Sequence, residues 1–320
     1  MKFVSTMLSI LFSVVLLPKV QATDLVIWHG ASAGGPSAKY SMVLKSYIEA
    51  NSDFTVKNRF VPGDSGWTAV RQYLEQNTSK HTINVIIQND KISIARYLTD
   101  AMSIHELDKL QPVALLGQSM FILHADKKLP ITKIADLDLL QYNVLSHGSV
   151  GPGSFGALIE SMLASKIKTP INGVKYPGGG KAKNDVAGGH INLYTGWPDS
   201  LSLAVQNLTT AIAVSHPVPE LPNVATFAQQ GITGIPTTAY WALFAGPSVT
   251  SEQQLKLRQV LEKMFDDKAF ILDYEKRLNV TGAVADPEKL DFWWTETNRI
   301  YSSMSRNPAL DNFKKQVLSK

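Results

Sequence analysis

Leu25 to Ser37 constrains this chain more than any other stretch. Leu25 to Trp28 is apolar and reads as a short buried strand, a loop of small residues follows at once, and Ala38 to Ala50, with Met42, Val43, Tyr47 and Ile48, reads as a helix. A strand, a glycine-rich turn and a helix aim backbone N–H groups at an anion. First-turn donors have no partner inside their helix, and the helix dipole places partial positive charge there. Ser37 is the expected N-cap, and Pro36 stiffens the approach to it.

The plan recurs. Tyr142 to Ser146 reads as a strand, His147 to Gly156 as a glycine loop, and Ala157 to Lys166 as an amphipathic helix. Around the first unit, strands are expected at Thr55–Phe60 and Ile83–Ile87, with helices at Trp67–Gln76 and Ile92–Leu98. Such alternation predicts a parallel α/β sheet. Leu115 to His124 reads as one extended run, and further strands are expected at Val174–Tyr176, Ile191–Tyr194, Thr210–Ser215 and Tyr240–Ala245. Thr250 to Phe265 is a strongly patterned helix. Two similar units with anion loops suggest two lobes facing each other across a cleft.

What the loops do is narrowed by what their motifs lack. Gly30-Ala-Ser32-Ala-Gly34 matches the nucleophile elbow of serine hydrolases, G-x-S-x-G. That elbow needs an earlier strand to supply the oxyanion loop, and too little chain precedes Ser32 once a leader is removed. Gly151-Pro-Gly153-Ser-Phe-Gly156 matches G-x-G-x-x-G, yet the next strand ends Val174-Lys-Tyr-Pro177 without the carboxylate that would hold a ribose, so no dinucleotide cofactor is expected. Lys181 after Gly178-Gly-Gly180 lacks phosphate-loop spacing and reads as a flexible turn. The seven histidines show no metal-ligand spacing. His147 is either a ligand contact or a hydrogen-bonded strand-end histidine. Trp67 and Trp197 each open a helix after a loop, as pocket wall or as core, and Trp293 and Trp294 read as core.

Residues 1–22 read as a cleaved secretory leader: Lys2, an apolar stretch from Met7 to Leu17, then Val20-Gln-Ala22. The chain has no cysteine, which excludes disulfides, thiolate metal sites and a lipid-bearing cysteine. The net charge of +4 is spread without a basic run, so no nucleic-acid partner is expected. Loops offering backbone N–H and small polar groups, with no activated nucleophile, suit the binding of a small anion such as a carboxylate.

In order along the chain, several segments resemble the Bug receptors, the periplasmic solute-binding receptors of tripartite tricarboxylate transporters. These are Trp28 to Gly35, Asn58-Arg59 with Pro62-Gly63 and Gly66, Pro112 to Leu116, Asn143 to Gly156, Val174 to Gly180, Ile212 to Phe227 and Trp241 to Pro247. The resemblance implies an α/β two-lobe periplasmic-binding-protein fold, type II-like. Residues 1–22 would be the signal peptide, 23–120 plus 235–320 a discontinuous lobe 1, and 121–234 lobe 2. It implies capture of a small organic acid, a di- or tricarboxylate or similar, for membrane transporter subunits, by a periplasmic monomer with no cofactor. A secreted serine hydrolase using Ser32 and a sensory ligand-binding component stay open as alternatives. The expected contacts on the first lobe are His29, Ser32, Ala33, Gly34 and Gly35, with Gln88 and Asn89 after the third strand. On the second lobe they are His147, Ser149, Gly151, Gly153 and Ser154, with Tyr194 and Thr195 at a later strand end. His29 and Ser32 replace apolar family residues, Asp90 adds a negative charge beside Asn89, and Tyr194 and Thr195 stand where the family often places an acidic or polar residue.

Overall fold

The computed structural model describes residues 23–318 apart from Ser32, Gly34, Gly35, Thr78, Asp100, Ala101 and Pro152, so the expected leader lies outside the described residues. The strands in chain order are β1 (Thr23–His29), β2 (Phe54–Phe60), β3 (Thr82–Asn89), β4 (Gln111–Ser119), β5 (Ile122–Asp126), β6 (Leu145–Ser149), β7 (Ile171–Lys175), β8 (Leu193–Gly196), β9 (Thr209–Val214) and β10 (Ala239–Ala245). The helices are α1 (Pro36–Asn51), α2 (Trp67–Leu74), α3 (Lys91–Leu98), α4 (Ile104–Leu107), α5 (Phe155–Lys166), α6 (Gly179–Gly188), α7 (Leu201–Val205), α8 (Ser251–Asp266), α9 (Lys268–Leu278), α10 (Pro287–Met304) and α11 (Asp311–Leu318).

Two five-stranded sheets share one plan, with orders β2-β1-β3-β10-β4 and β7-β6-β8-β5-β9. β1, β2 and β3 are parallel, as are β6, β7 and β8, while β10 and β5 are antiparallel to both of their neighbours. β3 is buried from Ile83 to Gln88, as a strand covered on both faces must be. β2 at the edge instead buries Phe54 and Val56 and exposes Thr55 and Lys57.

The extended run expected from Leu115 to His124 breaks at Met120-Phe121 into strands of different sheets. β4 ends beside the start of β10 (Ser119 opposite Ala239), and β10 starts at the carboxyl end of β3 (Trp241 opposite Asn89). β5 starts at the carboxyl end of β8 (Ile122 opposite Gly196) and beside the end of β9 (Val214). The carboxyl edges of the two sheets are therefore joined by two residues, a span of no more than about 11 Å between Ser119 and Ile122. The return connection passes alongside: the Ser215 N–H donates to the Phe121 carbonyl at 2.9 Å, and the Phe121 N–H donates to Ser215 Oγ at 3.1 Å.

Three local readings change. α1 begins at Pro36, so Ser37 is not its cap but a first-turn residue whose hydroxyl meets His29 at 3.0 Å. Proline fits there because a first-turn N–H lacks a helical acceptor anyway. β6 runs through His147-Gly148-Ser149, which looked like loop, because pairing with β7 continues to Lys175. Gly148 is required inside it: a Cβ would stand 2.6 Å from Ile191 Cδ1. The expected flexible turn at Gly179 to Lys181 is the first turn of α6, anchored by buried Ala182 and Val186.

The chain ends on the second unit. Leu310 and Phe313 are fully buried, and α11, which had been expected to lie wholly with the first lobe, packs on α5 because that apolar face closes there. α10 lies on α3 and β4. It is held by Asp90, whose Oδ1 accepts from Tyr301 Oη at 2.5 Å while Oδ2 accepts the Tyr240 N–H at 2.9 Å. Burial pushes the Asp90 carboxyl up to about 7, against those two hydrogen bonds. A carboxyl that binds its proton more tightly when folded stabilises at low pH, and that contribution is lost as pH rises from about 4 through 7. Asp90→Asn copies the protonated form, so its melting temperature should fall less between pH 5 and pH 8 than that of the wild type in calorimetric scans. Equal slopes would refute the assignment.

Candidate functional site

In each sheet the chain leaves a central strand to one side and returns on the other: β1 to β2 then β3, and β6 to β7 then β8. Helices that diverge this way leave a crevice at the carboxyl ends of the central strands, where open α/β sheets hold ligands.

At the first crevice, Gly30 follows β1. The turn after β2 carries Gly63 (φ 135°), Asp64 (φ 45°) and Gly66 (φ 91°) and folds onto it. A Cβ on Gly30 would stand 2.8 Å from both Cα and O of Gly66, so the two backbones touch and neither position admits a side chain without movement. His29 is buried beneath. Its Nδ1 lies 3.0 Å from Ser37 Oγ, its Nε2 lies 3.0 Å from Asn58 Oδ1, and its ring stacks on Phe60 with centroids 4.6 Å apart. The Asn58 oxygen can only accept, so Nε2 donates and Nδ1 accepts from Ser37. Burial lowers the His29 pKa, keeping the ring neutral at neutral pH. His29 thus braces the root of the loop with both nitrogens engaged. Ala33 is exposed, and Ser32, Gly34 and Gly35 lie outside the described residues. Gln88 is buried at the end of β3, and Asn89 Oδ1 accepts the Lys91 N–H at 3.4 Å. Lys91, absent from the sequence expectations, sets its ammonium 4.7 Å from the centroid of the Trp67 ring. Its one signal was its place directly after the third strand and its polar end.

At the second crevice, Ser149 Oγ accepts the Gly151 N–H at 3.1 Å, and the Ser149 carbonyl accepts the Tyr176 N–H at 2.8 Å. Gly151 (φ 105°) and Gly153 (φ 76°) turn the chain, and Ser154 caps α5 by accepting the Ala157 N–H at 3.3 Å. His147 is fully buried, with Nδ1 3.2 Å from Glu160 Oε2 and Nε2 2.9 Å from Thr195 Oγ1. The carboxylate accepts from Nδ1–H, and the Thr195 hydroxyl meets Nε2. His147 is hydrogen-bonded within the fold, between α5 and β8. Tyr194 is buried and stacks on His124 with centroids 6.2 Å apart. His124 itself joins Thr209 Oγ1 at 3.0 Å and Ser200 Oγ at 2.8 Å, and burial pushes its pKa down to about 3. That brace also escaped the sequence reading. Trp67 is core on one side and faces Lys91 on the other, whereas Trp197 is half-buried against Phe155, 5.5 Å between centroids.

The described residues therefore gather His29, Gln88 and Asn89 at one sheet's carboxyl edge, and Ser149, Gly151, Gly153 and Ser154 at the other's. His147, Tyr194 and Thr195 serve the second edge from within. Among the described residues no acidic or histidine cluster could hold a metal ion.

Two α/β units of one strand order, joined at their carboxyl edges, define a periplasmic-binding-protein fold. The profile described as "tripartite tricarboxylate transporter family receptor" (TctC) matches residues 56–279, well over half of the chain. The chain belongs to that receptor family. A curated relative, a UPF0065 protein from the TAR-I ttuE-ttuC' intergenic region of Agrobacterium vitis, is 22% identical over 302 residues, covering 90% of this chain and 87% of its own. Among solved structures, the periplasmic binding protein BugD superposes with a TM-score of 0.74 at 18% identity, over 88% of this chain and 96% of its own. MatC from Rhodopseudomonas palustris, with bound malate, does so with 0.73 at 20% identity, over 91% and 100%. A second R. palustris protein, with adipate, gives 0.72 at 17%, over 88% and 98%.

The two loops differ in how they would resist a side chain. Gly30→Ala drives a Cβ into the Gly66 backbone and should lower the melting temperature, at a cost of about 1–3 kcal/mol. Gly153 has nothing within 4 Å of a Cβ, so Gly153→Ala meets only left-handed strain of about 1 kcal/mol. Thermal melts of the two variants should rank them in that order, and a larger loss for Gly153→Ala would contradict the geometry.

Proposed function

We propose that the chain is a periplasmic receptor that binds a small organic acid between two lobes and presents it to membrane transporter subunits. Its lobes would be residues 23–120 with 235 to about 305, and residues 121–234 with α11 laid against them. The observation that carries this reading is the two-residue link from Ser119 to Ile122 between the carboxyl edges of the sheets, each edge a switch-point crevice. A ligand held there touches both lobes at once, and such contacts shift the population toward the closed form. The malate and adipate held by structural neighbours support an acid as ligand. The sequence of residues 1–22, read as a leader, supports export to the periplasm, and the protein is expected to act as a monomer without enzymatic turnover.

Calorimetric titration with malate, adipate and related di- and tricarboxylates should give saturable binding of one acid per chain, with the acid recovered unchanged. A folded protein that binds none of them would overturn the proposal. An esterase activity lost in Ser32→Ala would favour the hydrolase reading instead.

A further inference from the structure

Where the C-terminal segment crosses onto the second unit it leaves a cavity of about 220 Å³ beneath it. The walls are α5, Ile171 at the start of β7, and the turn Pro308–Leu310 that leads into α11. Glu160 and Ser161 lie at its inner end, both more than nine-tenths buried, while Ala164, Ser165 and Pro308 around them are exposed.

A buried glutamate needs partners. Glu160 Oε2 meets His147 Nδ1 at 3.2 Å. Gly173 of β7 makes room for the carboxylate, since a Cβ there would stand 2.7 Å from Oε1 and 2.8 Å from Oε2. Oε1 takes no hydrogen bond from the described residues, yet it is not sealed from solvent. Glu160 lines the cavity, so this oxygen is within reach of a guest. Basic side chains of the same elements do not fill the place. Lys314 Nζ donates to the Ser305 carbonyl and to Asp311, Lys166 Nζ lies against Gly231, and Lys175 lies along Gly151.

The rest of the lining decides what kind of guest fits. Ser165 spends its proton on the Met162 carbonyl at 2.8 Å, which leaves its oxygen only to accept. Acceptors therefore stand on the α5 side, and Ile171, Pro308 and Ala309 give an apolar surface across from them. We propose that this cavity is a second binding site, for a small primary alkylammonium. The ammonium donates to Glu160 Oε1, and the alkyl chain lies against Ile171, Pro308 and Ala309. A hydrogen bond between ionised partners is roughly twice as strong as one between neutral groups, so the charged head is what selects the guest. The site is separate from both crevices and does not depend on the receptor reading. It adjoins the second crevice through one group, because Glu160 also holds His147, whose Nε2 meets Thr195.

The test is a nuclear magnetic resonance titration of isotope-labelled protein with n-butylammonium, and with n-butanol and butyrate as uncharged and oppositely charged controls, sodium chloride holding the ionic strength constant. Butylammonium alone should give saturable shifts of the Gly173 and Ala309 amides and of the His147 ring nitrogens. Glu160→Gln keeps an oxygen for the His147 N–H but removes the charge, and should bind at least about tenfold more weakly, in line with the cost of a lost hydrogen bond to a charged group. Ala164→Phe fills the exposed mouth, leaves Glu160 in place and should abolish the shifts. No saturable shift with butylammonium overturns the site, as do equal shifts with butanol or unchanged affinity in Glu160→Gln. Should Glu160→Gln fail to fold, Ala164→Phe decides, and binding that survives in it overturns the site.

Discussion

Phe121 and Ser215 exchange backbone and side-chain hydrogen bonds where the chain passes from the first sheet to the second and back. Most of the architecture follows from that pairing. The outgoing link is so short that the carboxyl edges of the two sheets must stay close. Each link feeds an antiparallel strand, β5 or β10, into the interior of the sheet it enters. An inserted central strand cannot slip without breaking two ladders. Phe121 is fully buried against Phe155 and Phe227, which fixes one end of the outgoing link to the second unit. Asp90 fixes the other by holding Tyr240, at the start of β10, and Tyr301 of α10.

Buried polar groups do most of the positioning around the crevices. Three histidines are fully buried, and each spends both ring nitrogens on neighbours: His29 on Ser37 and Asn58, His124 on Thr209 and Ser200, His147 on Glu160 and Thr195. A buried polar atom without a partner costs about 1–3 kcal/mol, so each ring fixes the hydroxyl or amide it meets. These groups hold strand ends in place beneath the crevices.

Much of this was legible in the residues. Strand, glycine loop and helix could be read at β1 and again at β6, because apolar runs and breakers are local signals. The pairing of β10 between β3 and β4 joins Trp241 to Asn89, and no local pattern announces a contact across so many residues. Gly148 looked like loop because glycine breaks strands. It is strand because the pairing with β7 continues past it, and glycine is needed there because Ile191 leaves no space for a side chain. Ser37 looked like a cap, although a proline just before it already marked the helix start. His29 does end its strand and His147 lies within its own, but periodicity cannot tell a histidine that faces a ligand from one that braces a loop.

The central claim is that the two crevices close on one ligand. The absence of cysteine from the chain makes this directly measurable, because Ser46→Cys and Lys168→Cys, one on each unit, can carry a pair of spin labels with no competing thiol. Pulsed electron–electron distance measurement should show the label separation shift to a shorter, narrower distribution when a bound carboxylate saturates the protein. An unchanged distribution at full occupancy, with binding verified on the labelled sample, would contradict a site shared between the lobes.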